Sequence, residues 1–268
     1  MLYAGGVFVN RAFEELNLVK PELVQSVHHA YVEAGADVLE TNTFGANGVR
    51  LRGFGLADQL CEINQEGVRI ARAVASSAVF VAGALGPLGV PVAPHGRMTV
   101  LDAERHFRKQ AAALLNGGVD LFVLETFRFV EELLAAVRAL KTLTELPIAA
   151  QMTVEDSGDS PDGISPEVFA RQIEDEGAAV IGVNCGAGPA PMLDTVERLH
   201  GATALPLVAQ PNAGFPRQVE GRTMYLTSPG YLGSYARRFV KQGVKLVGGC
   251  CGTTPDHIRE IKAALLST

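Results

Sequence analysis

Residues 120–140 read DLFVLETFRFVEELLAAVRAL, and they are the clearest indication of the fold class. Its first part is a near-continuous apolar run, as expected for a parallel strand that is covered on both faces. The part that follows places apolar side chains on one face of a helix, at Val130, Leu133, Leu134, Val137 and Leu140. A buried strand followed directly by an amphipathic helix is the repeating unit of parallel α/β folds.

The same unit repeats along the chain. Apolar runs predict strands at 38–44, 79–85, 120–126, 147–153, 179–184, 206–210 and 245–249. Helical periodicity predicts helices at 21–34, 58–75, a segment around 107–115 that Asp102 could cap, 130–140, 165–176, 191–200, 228–242 and 255–266. Eight helices favour a closed barrel over an open doubly wound sheet, and only residues 1–9 remain to supply an eighth strand. We therefore predict an α/β fold, a (β/α)8 TIM barrel whose first strand is missing, formed by one domain over residues 1–268.

The bulk composition limits the function classes. The chain has 268 residues, of which 47% are hydrophobic and 19% charged, enough to bury a sizeable core. A formal net charge of -6 argues against an electrostatic nucleic-acid binder. No run of 18 apolar residues is present, and the N-terminal residues do not resemble a secretory signal. These features predict a cytoplasmic protein with neither a membrane nor a nucleic acid as its partner.

Three of the four cysteines follow predicted strands. Cys185 comes after the strand at 179–184, Cys250 and Cys251 come at the end of the strand at 245–249, and Cys61 lies within a helix. In an α/β barrel the active site lies at these strand ends, and three thiolates with an open fourth position are typical of catalytic zinc. The alternative is that the cysteines are small buried hydrophobic residues.

The adjacent pair raises a geometric objection. Consecutive residues of a regular strand point to opposite faces of the sheet, so two neighbouring cysteines could not both reach one ion. The glycines at 248, 249 and 252 answer this objection, because they allow the backbone to bend sharply as it leaves the sheet.

Polar residues stand at other strand ends. Glu125 could pair with the ammonium group of an amino-acid substrate, or it could be a solvated or helix-capping acid. Asn42, Asn184 and Asn212 could support the site or hydrogen-bond a substrate, or each could satisfy backbone groups at a strand end. The residue types leave these alternatives open.

Three motifs resemble the signatures of the zinc-dependent homocysteine S-methyltransferase family: TNTF at 41–44, GVNC at 182–185 and GGCCGTTPDHI at 248–258. That family includes the betaine- and S-methylmethionine-dependent enzymes and the homocysteine domain of cobalamin-dependent methionine synthase. Residues 7–18, VFVNRAFEELNL, are similar to the methionine-synthase branch and to the version fused to a methylenetetrahydrofolate reductase. The resemblance spans essentially the whole chain.

The resemblance implies a function and a ligand set. Cys185, Cys250 and Cys251 would bind Zn²⁺, and Glu125 would contact homocysteine, whose thiol receives a methyl group to give methionine. It implies no catalytic residue beyond the zinc site. The methyl donor would be methylcobalamin or methyltetrahydrofolate on another domain or protein, with S-methylmethionine or betaine as alternatives. His257 belongs to the third motif and receives no role.

One departure from the family supports rival interpretations. Family members begin with a strand that ends in an Asp-Gly-Ala-x-Gly-Thr type motif, and Met1-Leu2-Tyr3 resembles the sequence just after it. A non-catalytic, zinc-bound barrel remnant that binds a thiol ligand or a partner protein is therefore an alternative. A metal-independent barrel lyase or aldolase with structural cysteines is another. The lack of a strand-end lysine for Schiff-base chemistry argues against an aldolase.

Overall fold

The computed structural model describes residues 1–2, 6–7, 11–155, 157–219 and 222–267, with the backbone alone at 218, 219, 222 and 223. Contacts divide the chain into two compact units. Unit 1 comprises Met1–Glu33, Asp37–Glu125 and Glu131–Ile148, and unit 2 comprises Ala34–Ala36, Thr126–Val130 and Ala149–Thr268. The single domain predicted for residues 1–268 stays a prediction.

The seven predicted strands are all present among the described residues, together with a hairpin that the sequence did not reveal. The strands are β1 (Val38–Glu40), β2 (Phe80–Leu85), β3 (Leu121–Phe127), β4 (Ile148–Met152), β5 (Val180–Asn184), β6 (Leu207–Gln210), β7 (Arg217–Val219), β8 (Arg222–Met224) and β9 (Val244–Val247). The hairpin, β7 and β8, was missed because three-residue strands are too short to show a clear alternation.

The eight predicted helices are also present. The helices are α1 (Leu16–Val19), α2 (Pro21–Glu33), α3 (Gly48–Arg52), α4 (Leu60–Val74), α5 (Val100–Gly117), α6 (Val130–Lys141), α7 (Pro166–Asp175), α8 (Pro189–His200), α9 (Pro229–Lys241) and α10 (Pro255–Leu266). The additional helices α1 and α3 are too short to produce a periodic pattern. No helix in the described part of the chain is long and apolar enough to cross a membrane.

In unit 1, the parallel strands pair in chain order. Val38 of β1 is opposite Phe80 of β2, and Ala82 of β2 is opposite Leu121 of β3. Helices α4 and α5 pack against each other beside these strands. Phe107, on the predicted apolar face of α5, is fully buried. The core of this unit therefore has the strand and helix faces that the apolar pattern predicts.

In unit 2, β4, β5, β6 and β9 are parallel neighbours in that order. The antiparallel hairpin of β7 and β8 lies between β6 and α9 in sequence. Gly182 allows β5 to approach β6 closely, because a Cβ atom at this position would overlap the carbonyl oxygen of Val208. Unit 2 contains all three cysteines of the predicted zinc site.

The predicted start of α5 is wrong by one turn. Asp102 was expected to cap this helix, but Thr99 is the N-cap residue, and its side-chain oxygen accepts a hydrogen bond from the Asp102 N–H at 3.1 Å. The Thr99 hydroxyl in turn donates to the Asp102 carboxylate at 2.7 Å. Asp102 therefore lies in the first turn, where its negative charge interacts favourably with the positive end of the helix dipole.

The alternation of parallel strands and helices confirms the predicted α/β class with the repeating unit of a (β/α)8 barrel. Seven parallel strands occur among the described residues, and none precedes β1 in the described segments 1–2, 6–7 and 11–37. Residues 3–5 and 8–9, which belong to the stretch 1–9 that was considered for an eighth strand, lie outside the described residues.

Candidate metal centre

Cys185 is held in a sharp turn directly after β5. Its φ angle of 59° lies in the left-handed region, and Gly186 continues the turn with a φ of 64°. The Cys185 N–H donates to the carbonyl oxygen of Gln210 at 3.1 Å, which ties the turn to the end of β6. The sulfur is thereby placed at the carboxyl ends of the strands, as the sequence predicts.

Cys250 and Cys251 lie beyond the end of β9, so the alternation of side chains along a strand does not apply to them. The Cys250 N–H donates to the Pro211 carbonyl oxygen at 2.8 Å, and the Cys251 carbonyl oxygen accepts from the Ala213 N–H at 2.9 Å. Gly252 completes the bend with a φ of 80°. The glycine-assisted bend predicted from the sequence is confirmed, and it turns two consecutive cysteines towards one centre.

The three sulfur atoms form a group with metal-binding dimensions. All three Sγ atoms lie within 4.8 Å of one another, and those of Cys185 and Cys251 are 3.8 Å apart. Two thiolates at about 2.3 Å from a tetrahedral zinc ion are about 3.8 Å from each other. Cys185 and Cys250 are half-buried and Cys251 is exposed, so the cluster is accessible from one side. Donor type, number and spacing therefore fit a zinc ion with an open fourth position.

The cluster also favours negative charge. Hydrogen bonds from the Cys250 and Cys251 thiols hold the pKa of Cys185 far below its usual range. The same hydrogen bond to Cys185 raises the pKa of Cys250, with burial adding to the effect. One thiolate thus accepts hydrogen bonds from two thiols, and a bound cation would take the place of those two protons.

Asn184 is the buried last residue of β5 and contacts one of the cysteines. Its Oδ1 accepts a hydrogen bond from the Thr126 N–H at 2.7 Å, and its Nδ2 donates to Thr126 Oγ1 at 2.9 Å. The same Nδ2 lies 3.7 Å from the Sγ atom of Cys250, within hydrogen-bonding range of sulfur. Asn184 therefore supports the cysteine cluster from within the sheet.

Asn212 supports the other two cysteines. This buried side chain accepts a hydrogen bond from the Cys251 N–H through Oδ1 at 3.0 Å, and it also hydrogen-bonds the Cys185 side chain. Its own N–H donates to the Ala187 carbonyl oxygen at 3.1 Å. Asn212 thus joins the two loops that carry the sulfur atoms.

The remaining predicted site residues belong to unit 1. Asn42 donates through Nδ2 to the Phe13 carbonyl oxygen at 2.8 Å and to Asn17 Oδ1 at 3.0 Å. Both of its amide hydrogens are therefore used within unit 1, which favours the interpretation that Asn42 satisfies local polar groups. Glu125 lies half-buried near the carboxyl end of β3, where the sequence predicts it.

Two residues with contacts near the cluster were not predicted from the sequence. The phenol of Tyr225 hydrogen-bonds Cys251, and burial, followed by the neighbouring Cys251 side chain, raises the pKa of Tyr225 to about 12. Thr126 adopts a left-handed conformation with a φ of 63°. Neither residue belongs to a motif, so the sequence held no signal for them.

His257, to which the sequence assigned no role, is buried and structural. Its Nδ1 accepts a hydrogen bond from the Thr254 N–H at 3.1 Å and closes a capping box at the start of α10. Because Nδ1 is an acceptor, Nε2 carries the proton and donates to the Thr227 carbonyl oxygen at 3.0 Å. His257 therefore ties the helix after the cysteine pair to the segment that carries Tyr225.

Comparison with known proteins gives a family and several relatives. The family model described as Homocysteine S-methyltransferase matches residues 8–265. The chain is 36% identical to a methionine synthase of Mycobacterium tuberculosis and 35% identical to one of Mycobacterium leprae, each over 94% of this chain. In both cases the alignment covers 22% of the relative, so the chain spans about a fifth of the length of these curated proteins.

A solved structure shares the fold. The metallated form of the homocysteine methyltransferase MmuM from Escherichia coli matches with a TM-score of 0.83 at 24% identity, over 98% of this chain and 92% of that protein. The apo form matches with a TM-score of 0.78 at 26% identity. The structural likeness supports the fold class assigned above.

Proposed function

Because the chain belongs to the homocysteine S-methyltransferase family, we propose that it transfers a methyl group to the thiol of homocysteine and so forms methionine. The family is zinc-dependent, and membership confirms the predicted enzyme class and cofactor. The observation that carries the proposal is the group of three cysteine sulfur atoms within 4.8 Å of one another. The activity of the much longer methionine synthases is a proposal for this chain, which spans only 22% of them.

The proposed zinc ligands are Cys185, Cys250 and Cys251. When bound, zinc would supply a positive charge that deprotonates an incoming thiol and keeps it nucleophilic at neutral pH. The protein fixes the three sulfur atoms through backbone hydrogen bonds from Cys185 to Gln210 and from Cys250 to Pro211. Positioned in this way, the cluster leaves its exposed side, next to Cys251, for the substrate thiol.

The amino-acid part of the substrate requires a partner for its ammonium group. We propose Glu125 for this role, because the family resemblance assigns a homocysteine contact to this position. Asn184 and Asn212 hydrogen-bond the cysteines, which supports a role in holding the cluster. A substrate contact of Asn42 is the least supported of these predictions, since its amide hydrogens are bound to Phe13 and Asn17.

The methyl donor is proposed from the methionine-synthase relatives. A methylated corrinoid or methyltetrahydrofolate, carried by another domain or protein, is the proposed donor, with S-methylmethionine or betaine as alternatives. The proposed location is the cytoplasm, since four free thiols, three of them clustered, suit a reducing compartment. We also propose that residues 1–268 form one functional domain, because the family match extends over residues 8–265.

The rival interpretations receive no such support. A metal-independent lyase or aldolase would not require three sulfur atoms at the spacing of a zinc site. A non-catalytic zinc-bound remnant shares the cysteine cluster with an enzyme, and the family and its relatives do not favour it.

The first experiment measures zinc per chain in the wild type, in Cys250→Ser and in Cys61→Ser. Cys61 is the matched control because it is a free cysteine outside the cluster. We expect one zinc per chain in the wild type and in Cys61→Ser, and a loss of zinc in Cys250→Ser. Equal zinc contents in all three proteins would contradict the assigned ligands.

The second experiment measures methionine formation from homocysteine with each donor class in turn, using the zinc-loaded 268-residue chain. Glu125→Gln should raise the KM for homocysteine, because the amide loses the charge that pairs with an ammonium group. Glu145→Gln, which alters an exposed acid in a loop, is the control. An unchanged KM in Glu125→Gln would exclude the proposed contact.

A further inference from the structure

Thr126 has a backbone conformation that its side chain disfavours. Its φ angle of 63° is left-handed. Among the described residues that are not glycine, Thr126 shares a positive φ with Cys185 alone. A β-branched residue in this region is a genuine outlier, since its Cβ substituents crowd the backbone. Such strain persists only where surrounding contacts hold it, and it is often found at functional sites.

Both strained residues meet at Asn184. Asn184 directly precedes Cys185, and its carboxamide binds the backbone N–H of Thr126 at 2.7 Å and the Thr126 hydroxyl oxygen at 2.9 Å. The Asn184 carbonyl oxygen accepts a further hydrogen bond from the Thr153 hydroxyl at 2.8 Å. The left-handed turn of Thr126 thus presents two polar groups of one residue to a single buried amide.

These contacts decide which end of the amide faces the metal site. A backbone N–H can only donate, so the oxygen of the Asn184 carboxamide must be the atom that faces Thr126 N. The NH₂ group is then directed to Thr126 Oγ1 and, at 3.7 Å, to the Sγ atom of Cys250. A reversed amide would instead present an oxygen lone pair to a thiolate, which is repulsive.

We propose that Thr126 is a positioning residue for the metal site, which fixes the Asn184 carboxamide so that its NH₂ group donates to the sulfur of Cys250. This inference deepens the proposed function and rests on it, because it takes Cys250 to be a zinc ligand. A hydrogen bond to a metal-binding sulfur stabilises the thiolate and orients it. Thr126 would therefore influence metal affinity without touching the metal.

The alternative is that Thr126 merely forms the turn after β3. The two roles can be distinguished by substitutions that remove either the hydroxyl or the methyl group of Thr126. Valine has the same shape and branching as threonine but cannot accept a hydrogen bond from Asn184 Nδ2. Serine lacks the methyl group but retains the hydroxyl. A residue that only shapes the turn should respond to the loss of the methyl group, whereas a positioning residue should respond to the loss of the hydroxyl.

The experiment compares zinc affinity, by competition with a chelator, and the sulfur-to-metal absorption of the cobalt-substituted protein. Wild type, Thr126→Val and Thr126→Ser are compared in the 268-residue chain. Loss of a residue that supports a metal ligand typically costs 10- to 100-fold in affinity, so we expect Thr126→Val to bind zinc about tenfold more weakly and to shift the cobalt absorption. Thr126→Ser should restore both properties to near the wild-type values.

A second pair of variants tests the amide directly. Asn184→Asp keeps the acceptor for the Thr126 N–H but places an oxygen against the Cys250 sulfur, so its zinc affinity should fall by about 100-fold. Asn116→Asp, an exposed change of the same chemistry on α5, should leave the affinity unchanged. If Thr126→Val fails to fold, as judged by circular dichroism, this pair decides the question.

The possible failures are distinguishable. A wild-type protein without zinc would overturn the proposed function and this inference together. Zinc bound normally by the wild type, Thr126→Val and Asn184→Asp alike would overturn only the inference. Serine and valine variants that are equally weak would also overturn it, because the hydroxyl would then have no separate effect.

Discussion

The aromatic ring of Tyr225 lies directly against Gly252, in the space that a Cβ atom at position 252 would occupy. Gly252 follows the cysteine pair and has a left-handed φ of 80°, and the Tyr225 phenol hydrogen-bonds Cys251. Glycine is therefore favoured at position 252 for two reasons: its backbone is left-handed, and the Tyr225 ring leaves no space for a Cβ atom. This contact joins the cysteine pair to the segment after the β7–β8 hairpin.

We expect Gly252→Ala to abolish zinc binding. Alanine in a left-handed conformation costs about 1–2 kcal/mol, and its methyl group would also displace the Tyr225 ring. Zinc content per chain measures the effect. Gly230→Ala is the control, because a Cβ atom there meets nothing within 4 Å. A Gly252→Ala protein that retains one zinc per chain would show that the cysteine bend tolerates a side chain.

Tyr225→Phe should weaken zinc binding by about fivefold. The substitution keeps the ring that packs on Gly252 but removes the hydrogen bond to Cys251, and one neutral hydrogen bond contributes about 1 kcal/mol. Competition with a chelator gives the affinity. Tyr231→Phe, on the exposed side of α9, should have no effect. If both variants bind zinc as the wild type does, the phenol does not contribute to the cluster.

His257→Ala should lower the free energy of unfolding by about 1–2 kcal/mol, as expected for the loss of a helix cap and a buried hydrogen bond. The variant loses the contact with Thr254 that closes the capping box and the contact with the Thr227 carbonyl oxygen. Chemical denaturation measures the change, with His29→Ala on the exposed face of α2 as control. Equal losses in the two variants would contradict a special role for His257.

The buried side chain of His28 should make the free energy of unfolding decrease as the pH is lowered. Burial lowers the pKa of His28 to about 4, from an ordinary value of about 6.5. Between these values the unfolded state binds more protons than the folded state, so the free energy of unfolding decreases as the pH falls from about 6.5 to about 4. The loss attributable to this group amounts to about 3 kcal/mol.

Substitution of His28 tests this pH dependence. Between pH 6.5 and 4, the free energy of unfolding of His28→Gln should decrease by about 3 kcal/mol less than that of the wild type, because glutamine does not titrate. His29→Gln changes an exposed histidine of the same helix and should retain the wild-type slope. Denaturation curves recorded at several pH values measure the slopes, and identical slopes in all three proteins would refute the prediction.

The repeating pattern of strands and helices was predicted well from the sequence, because it depends on the spacing of apolar residues that are close together in the chain. Val130, Leu133 and Val137 share a helical face and are all buried as expected. The short elements were missed for the same reason, since α1 and α3 span four and five residues, little more than one helical turn, and an apolar face cannot repeat over that length. The start of α5 was misplaced because Thr99 and Asp102 are both good capping residues, and their spacing alone does not show which one is the cap.

The order of residues was enough to predict that three cysteines stand at strand ends and that glycines accompany the cysteine pair. Both features are local, because strand ends and permissive backbone positions are visible in the order of residues. The surroundings of the sulfur atoms, in contrast, could be read only from the folded chain. Asn184 meets Thr126 across 58 positions and Cys250 across 66, and His257 meets Thr227 across 30. Such contacts depend on how distant strand ends come together and on a left-handed threonine, and neither leaves a signal in the local sequence.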